Sequence, residues 1–169
     1  GTYAGLAHPA AVDYLKKLGI TAVELLPIHA KHDETFLIER GLTNYWGYST
    51  LSFFAPEPSY ATEAARRRGA QGVIDEFRGM VSILHQADIE VLLDVVYNHT
   101  CEGSETGSTL SWSGFDAPLY YRFDHGRPRR MIDVTGTGNS LNTDEPLAMK
   151  MVLDSLRYWS REMGIDGFR

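Results

Sequence analysis

Asp94, Asn98 and His99 close a solidly apolar run, Glu90 to Val96, with three polar groups of different chemistry. They supply a carboxylate, an amide that both donates and accepts, and a ring nitrogen able to donate to a hydroxyl. A carboxylate in such a run is costly to bury unless it is paired or hydrogen-bonded, and Arg169, closing Gly164-Ile-Asp-Gly-Phe-Arg169, is the partner the sequence offers. Alone, an Asp and a His at a strand end serve as structural caps more often than as catalysts.

Earlier in the chain, Asn44-Tyr-Trp-Gly-Tyr48 is followed by Phe53 and Phe54. Flat aromatic faces suit the C–H faces of a pyranose ring, while phenol and indole edges can hydrogen-bond. Stacking on a sugar is the functional reading of this loop. Trp46 is a candidate for the same work, but for Trp46 and Phe53 burial as anchors of loop packing is the simpler expectation.

Three helix-then-strand units must position these groups. Pro9 suits a first helical turn, Ala11, Leu15 and Leu18 share a face, and Gly19 stops that helix before a buried strand from Ile20 to Ile28, ended by Pro27. A second helix from near Gln71 carries Val73, Phe77, Val81 and Leu84 at helical spacing and leads into the run that ends at Val96. Thr143-Asp-Glu-Pro146 reads as a capping signature for a third helix with an apolar stripe of Ala148, Val152, Leu156, Trp159 and Met163, before a strand from Ile165.

Apolar strands between amphipathic helices imply an α/β protein with a parallel sheet. Each helix meets its strand within a residue or two, whereas about 40 residues follow each of the first two strands, and loops that long are usually functional. Length invested at strand C-terminal ends is the habit of a barrel, whose chemistry sits at that face. One compact unit is expected from 169 residues of which 43% are hydrophobic and 22% charged.

A net charge of −6 argues against broad phosphate binding, so no nucleic-acid partner is expected, and Arg66-Arg67-Arg68 reads as a solvated loop or helix start. No apolar run approaches a membrane span and no signal peptide is visible, so no membrane partner is expected. Cys101 stands alone, which excludes an internal disulfide and suits the cytoplasm. The chain begins without Met and ends on Arg169 in mid-pattern, which suggests a segment of a longer protein.

Other motifs read as structure. Thr135-Gly-Thr-Gly-Asn139 lacks the ending of a phosphate loop and follows no strand directly. His29, His32, Asp33 and Glu34 are expected in a solvated, flexible loop and not around a metal, which needs convergent ligands and a second shell. Asn98-His-Thr100 matches a glycosylation sequon at a position unsuited to it, and His8, His85 and His125 carry no assigned chemistry.

The chain resembles the α-amylase superfamily, glycoside hydrolase family 13, and within it the isoamylase and bacterial glycogen-debranching group. Gly19-Ile-Thr-Ala-Val-Glu-Leu-Leu-Pro27 looks like the family's second-strand motif, Asp94-Val-Val-Tyr-Asn98-His99 like its third, and Gly164 to Arg169 like the opening of its fourth. Asn44 to Thr50 and Gly136-Thr-Gly-Asn139 look like the debranching branch. The resemblance implies a segment of a (β/α)8 TIM barrel, about strands 2 to 4 with preceding helices and long βα loops, spanning residues 1–169 as one partial catalytic unit truncated at its C-terminus.

It also implies retaining cleavage of α-1,6 branch linkages in glycogen, amylopectin or limit dextrin, through carboxylates about 5–5.5 Å apart. By the same resemblance Tyr48 stacks beneath the glucose, His99 bonds its 6-position side, and Asn98 braces the loop or, in some relatives, holds calcium. Asp94 supports the site through Arg169, which orients the nucleophile and touches the 2-hydroxyl. No cofactor is expected. The nucleophilic Asp lies two residues beyond the motif's Arg, Asp166 is no substitute, and the acid/base belongs to a later strand, so the 169 residues alone are expected to be inactive. Isolated, their open sheet edges and apolar faces are expected to invite self-association. A branching or trehalose-forming transglycosylase and a non-catalytic glucan-binding barrel are the competing readings.

Overall fold

The computed structural model describes residues 1–169. Two short helices, α1 (Tyr3–Leu6) and α2 (Pro9–Leu18), precede strands β1 (Ala22–Leu25) and β2 (His29–Lys31). Helix α3 (Thr35–Ile38), strand β3 (Thr50–Pro56), helices α4 (Glu63–Arg67) and α5 (Gly69–Gln86) and strand β4 (Glu90–Leu93) follow. Then come α6 (Ser113–Tyr120), β5 (Phe123–Asp124), β6 (Arg127–Met131), α7 (Pro146–Arg161) and β7 (Gly167–Phe168). Internal packing gathers these residues into two units, the first made of residues 1–30, 54–95 and 156–169, the second of 31–53 and 96–155.

The first unit holds a parallel sheet in the order β1-β4-β7, with Val23 opposite Val91 and Leu93 opposite Phe168. This is the α/β arrangement expected of apolar strands that alternate with amphipathic helices. The local signals act as read: Pro9 opens α2, the His8 side chain accepts from Ala10 N–H, and Gly19 ends the helix at φ +81° while its N–H bonds to Lys16 O. Helix α5 turns Val73, Phe77, Met80, Val81 and Leu84 inward, against Val91, Leu93 and Trp159. Phe77 and Trp159 meet edge to face with centroids 5.5 Å apart, a geometry the ring quadrupoles favour.

Strand lengths differ from the sequence reading. The strand expected over Ile20–Ile28 pairs only from Ala22 to Leu25, and Pro27, which has no N–H to give a ladder, separates it from β2. Likewise β4 ends at Leu93, though Asp94 N–H still bonds to Leu25 O and Val95 N–H to Arg169 O. The arginine run is solvated as expected; it ends α4 and leads into α5, Arg67 pairing with Glu63 across one turn and Arg68, at the N-cap position of α5, pairing with Asp75.

The second unit holds the antiparallel hairpin β5–β6, a bridge between Tyr121 and Leu141, and a centre in which polar groups are as deeply buried as apolar ones. Phe53, 1% exposed, stacks on Trp112 and packs against Tyr97. Ser155 Oγ donates to Phe53 O at 2.6 Å and lies 2.8 Å from Tyr97 OH. Phe53 is therefore the buried anchor expected of it.

His29, in the first unit, lies against Trp159 with ring centroids 5.0 Å apart, not in a solvated loop. It is 1% exposed, and burial pushes its pKa down to about 4. Folding thus favours the neutral ring. The unfolded chain takes up a proton near pH 6.5 and the folded one only near 4, so stability is full above about pH 6.5 and falls through that window. The loss is on the order of 3 kcal/mol. Urea denaturation between pH 7.5 and 4 is expected to follow this slope in the wild-type chain, and His29→Leu is expected to flatten it, leaving the contribution of His99, whose pKa burial also lowers.

Candidate functional site

In the first unit the site is built by the C-terminal ends of three neighbouring parallel strands. Arg169 N–H bonds to Leu93 O at 2.9 Å and Asp94 N–H to Leu25 O at 3.0 Å, so the backbone fixes where Glu24, Asp94 and Arg169 stand. Arg169 Nη1 donates to Asp94 Oδ2 at 2.7 Å, and its Nε lies 3.7 Å from Glu24 Oε1. The Asp94 side chain is 6% exposed while that of Arg169 is 63% exposed, so a largely exposed guanidinium neutralises a buried carboxylate. The pairing of Asp94 with Arg169 is as the sequence suggested; Glu24, hidden within an ordinary strand pattern, was not singled out.

Asp166 belongs to the opposite end of the same sheet. Its Oδ2 accepts from Val91 N–H at 2.8 Å and lies 2.8 Å from His85 Nε2, while its own N–H bonds to Val91 O. The carboxylate extends the backbone ladder before β7 begins.

In the second unit Tyr48, His99 and Asn98 come together. His99 Nε2 lies 2.8 Å from Tyr48 O and Nδ1 lies 2.7 Å from Asn98 Oδ1. Burial holds His99 below its ordinary pKa, outweighing the raising effects of the Tyr48 carbonyl, Asp133 and Glu34. The ring is neutral at pH 7 and owns one N–H, which serves one of these two facing oxygens.

Tyr48 and His99 line a cavity of about 560 Å³, a size suited to a small ligand. Its wall also includes Phe36, Glu102, Gly136 and Thr137. Cys101 lines it too, but burial and the neighbouring Glu102 push its thiol up to about 12, so it stays protonated. Trp46 departs from the anchor expected of it: it is 62% exposed, its ring centroid 6.5 Å from that of Tyr48, because Gly47 N–H bonds to Asn44 Oδ1 and tightens the turn between them.

Asp33 Oδ1 accepts from Asn44 N–H at 2.7 Å, and both Glu34 oxygens accept from Asn44 Nδ2 at 3.0 Å, so they hold the aromatic loop. No group of three or more His, Cys, Asp or Glu side chains is arranged to hold a metal ion.

Glu102, which lines the cavity, and Asp133 carry no expectation from the sequence, and Asn139 carries one only as the end of the Gly136-Thr-Gly-Asn139 motif. Glu102, 3% exposed, accepts from Leu110, Ser111 and Ser113 N–H, from Ser113 Oγ and from Tyr121 OH. Asn139, 0% exposed, accepts from Thr100 N–H and donates to Thr100 O and Gly103 O. Asp133 gathers Thr135, Gly136 and Gly138 N–H. An Asp two residues before a Thr-Gly turn is a recognisable local signal; nothing near Glu102 in sequence announces its partners.

Residues 1–114 match the model of the alpha amylase catalytic domain. All 169 residues are 51% identical to the glycogen operon protein GlgX homolog of Mycobacterium tuberculosis, over 23% of that protein. The chain is 48% identical to the glycogen debranching enzyme of Yersinia enterocolitica, over 25% of its length. It thus spans about a quarter of the length of these relatives. Among solved structures, the pullulanase of Paenibacillus barengoltzii in complex with maltohexaose and alpha-cyclodextrin superposes on 99% of this chain and 26% of its own, with TM-score 0.84 and 27% identity. The Bacillus acidopullulyticus pullulanase superposes on 99% of this chain and 20% of its own, with TM-score 0.79 and 34% identity. No helix is long and apolar enough to cross a membrane.

Proposed function

The chain belongs to the alpha-amylase family, its fold being a segment of the family's (β/α)8 barrel, and from that premise we propose that it is part of a glycogen-debranching hydrolase as long as its relatives. The enzyme would cleave α-1,6 branch linkages of glycogen, amylopectin or limit dextrins by a retaining double displacement. The observation that carries this reading is the cavity whose wall includes both Tyr48 and His99, an aromatic residue beside a hydrogen-bonding one. Relatives named for glycogen debranching and solved pullulanases with bound maltooligosaccharides support the substrate class.

Tyr48 would stack beneath a glucose unit, with Trp46 as a further exposed face. His99 would hydrogen-bond a sugar hydroxyl, and Asn98 would fix the ring that does so. In the first unit Arg169, anchored by Asp94, would hold a neighbouring nucleophilic carboxylate ionised at neutral pH. Two carboxylates suffice for the chemistry, so the proposal requires no cofactor and assigns no calcium; it places the enzyme in the cytoplasm, as the lone Cys101 suggests.

Reducing-end release from glycogen and pullulan tests the proposal. The full-length protein is expected to release α-1,6-linked branches and the 169-residue chain to release nothing. New α-1,6 bonds in the products would instead identify a transglycosylase, and an inert full-length protein a glucan-binding barrel.

A further inference from the structure

The Thr135-Gly-Thr-Gly-Asn139 segment, which carries no phosphate-loop chemistry, is the least explained motif of the second unit. It is a rigid turn. The Asp133 carboxylate accepts from Thr135 N–H at 2.9 Å, Gly136 N–H at 2.8 Å and Gly138 N–H at 2.9 Å, drawing the backbone around itself. Gly138 has φ +109°, and a Cβ there would lie 2.7 Å from Gly103 C and Ser104 N, so the turn is seated directly on that backbone. Asn139 completes the attachment by bonding both the N–H and O of Thr100, the residue after His99.

This seating brings Gly136 and Thr137 to the wall of the cavity that Tyr48 and His99 also line. The hydroxyls there are ordered by proton counting. Thr135 Oγ1 has one proton and faces the Asp133 carboxylate at 3.0 Å and Asn139 O at 3.0 Å, both acceptors only. Across the 2.6 Å contact between Thr135 Oγ1 and Thr137 Oγ1, the donor is therefore Thr137. Its proton spent, the exposed Thr137 hydroxyl keeps lone pairs on an oxygen that cannot rotate away.

We infer that Thr137 is a glucan-binding residue, its hydroxyl oxygen accepting a hydrogen bond from a sugar hydroxyl in the Tyr48–His99 cavity, with Asp133 and Asn139 as its positioning residues. The inference rests on the glucan reading of that cavity and deepens it. A contact to a part of the substrate that does not react contributes equally to ground state and transition state, so its loss raises KM and leaves kcat.

The test is steady-state hydrolysis of α-1,6-branched maltooligosaccharides by the full-length protein. Thr137→Val, near-isosteric but without the hydroxyl, is expected to raise KM about fivefold with kcat within about twofold of wild type. Thr137→Ser, which keeps the hydroxyl, is expected to hold KM within about twofold. A fall in kcat with KM unchanged, a Val variant indistinguishable from wild type, or a Ser variant matching Val would each overturn the inference while wild-type debranching left the proposed function standing. Wild-type protein that debranches nothing would remove both.

Discussion

Replacing Glu102 by leucine is expected to destabilise the second unit by about 4 kcal/mol in urea denaturation at pH 7. The carboxylate is 3% exposed and accepts from Leu110 N–H and Ser111 N–H at 2.7 Å, Ser113 N–H at 3.0 Å, Ser113 Oγ at 2.5 Å, and Tyr121 OH. Leucine fills similar space but leaves three N–H groups and two hydroxyls to find other acceptors or none, and unsatisfied donors cost more than the bonds were worth. Glu102→Gln keeps one oxygen as an acceptor and should lose about half as much. The effect depends on pH in a defined sense. Burial raises the Glu102 pKa, but the hydrogen bonds from Ser113, Tyr121 and Ser111 together outweigh it and hold the carboxyl below its ordinary value. The folded state therefore favours the ionised form: the stabilisation is complete above the ordinary glutamate pKa, about 4.3, and is lost as pH falls through the lower folded value. Denaturation from pH 7 to 3 should show an acid limb that is shallower below about pH 4.3 in Glu102→Leu than in wild type. Equal stabilities at pH 7 would mean that the 110–113 segment does not need its carboxylate.

The sequence exposed the parts of the molecule whose causes are local or periodic. Helices α2, α5 and α7 follow from apolar spacing with Pro9, Gly19 and Pro146 at their ends, and the parallel sheet follows from apolar runs between them. The Asp94–Arg169 pair was legible because a carboxylate in an apolar run demands a cation and few were available at strand ends. The second unit was harder to read because its order comes from single polar side chains bonding backbone distant in the chain. Asn139 reaches Thr100 and Gly103, and Ser155 reaches Phe53; neither leaves a periodic trace. Trp46 shows the opposite failure. Its size argued for burial, but the Asn44 turn sets it outward. His29 was misplaced because its polarity suggested a loop, whereas Trp159 encloses it and its neutral form is compatible with a core.

Arg169→Leu in the full-length protein is expected to lower kcat/KM on branched glucans by about 10²–10³-fold, the scale of losing one preorganised charged donor from an active site. The side chain serves two partners from one backbone position. Nη1 holds Asp94, and Nε lies 3.7 Å from Glu24; under the proposed function the same guanidinium also meets a nucleophilic carboxylate and a sugar hydroxyl. Removing the cation strips the buried Asp94 carboxylate of its charged partner, and since Arg169 is largely exposed, solvent screens part of the loss; about 2 kcal/mol of stability should go with it. Arg169→Lys separates the roles. A lysine ammonium can still satisfy Asp94 as a point charge and so should restore most of the stability, but it cannot present a planar fork to a second carboxylate, and catalysis should stay depressed by at least about tenfold. Denaturation and kcat/KM measured on the same two variants decide the matter. A lysine variant as active as wild type would show that charge alone is required at this strand end, and a leucine variant retaining activity would remove Arg169 from the catalytic machinery altogether.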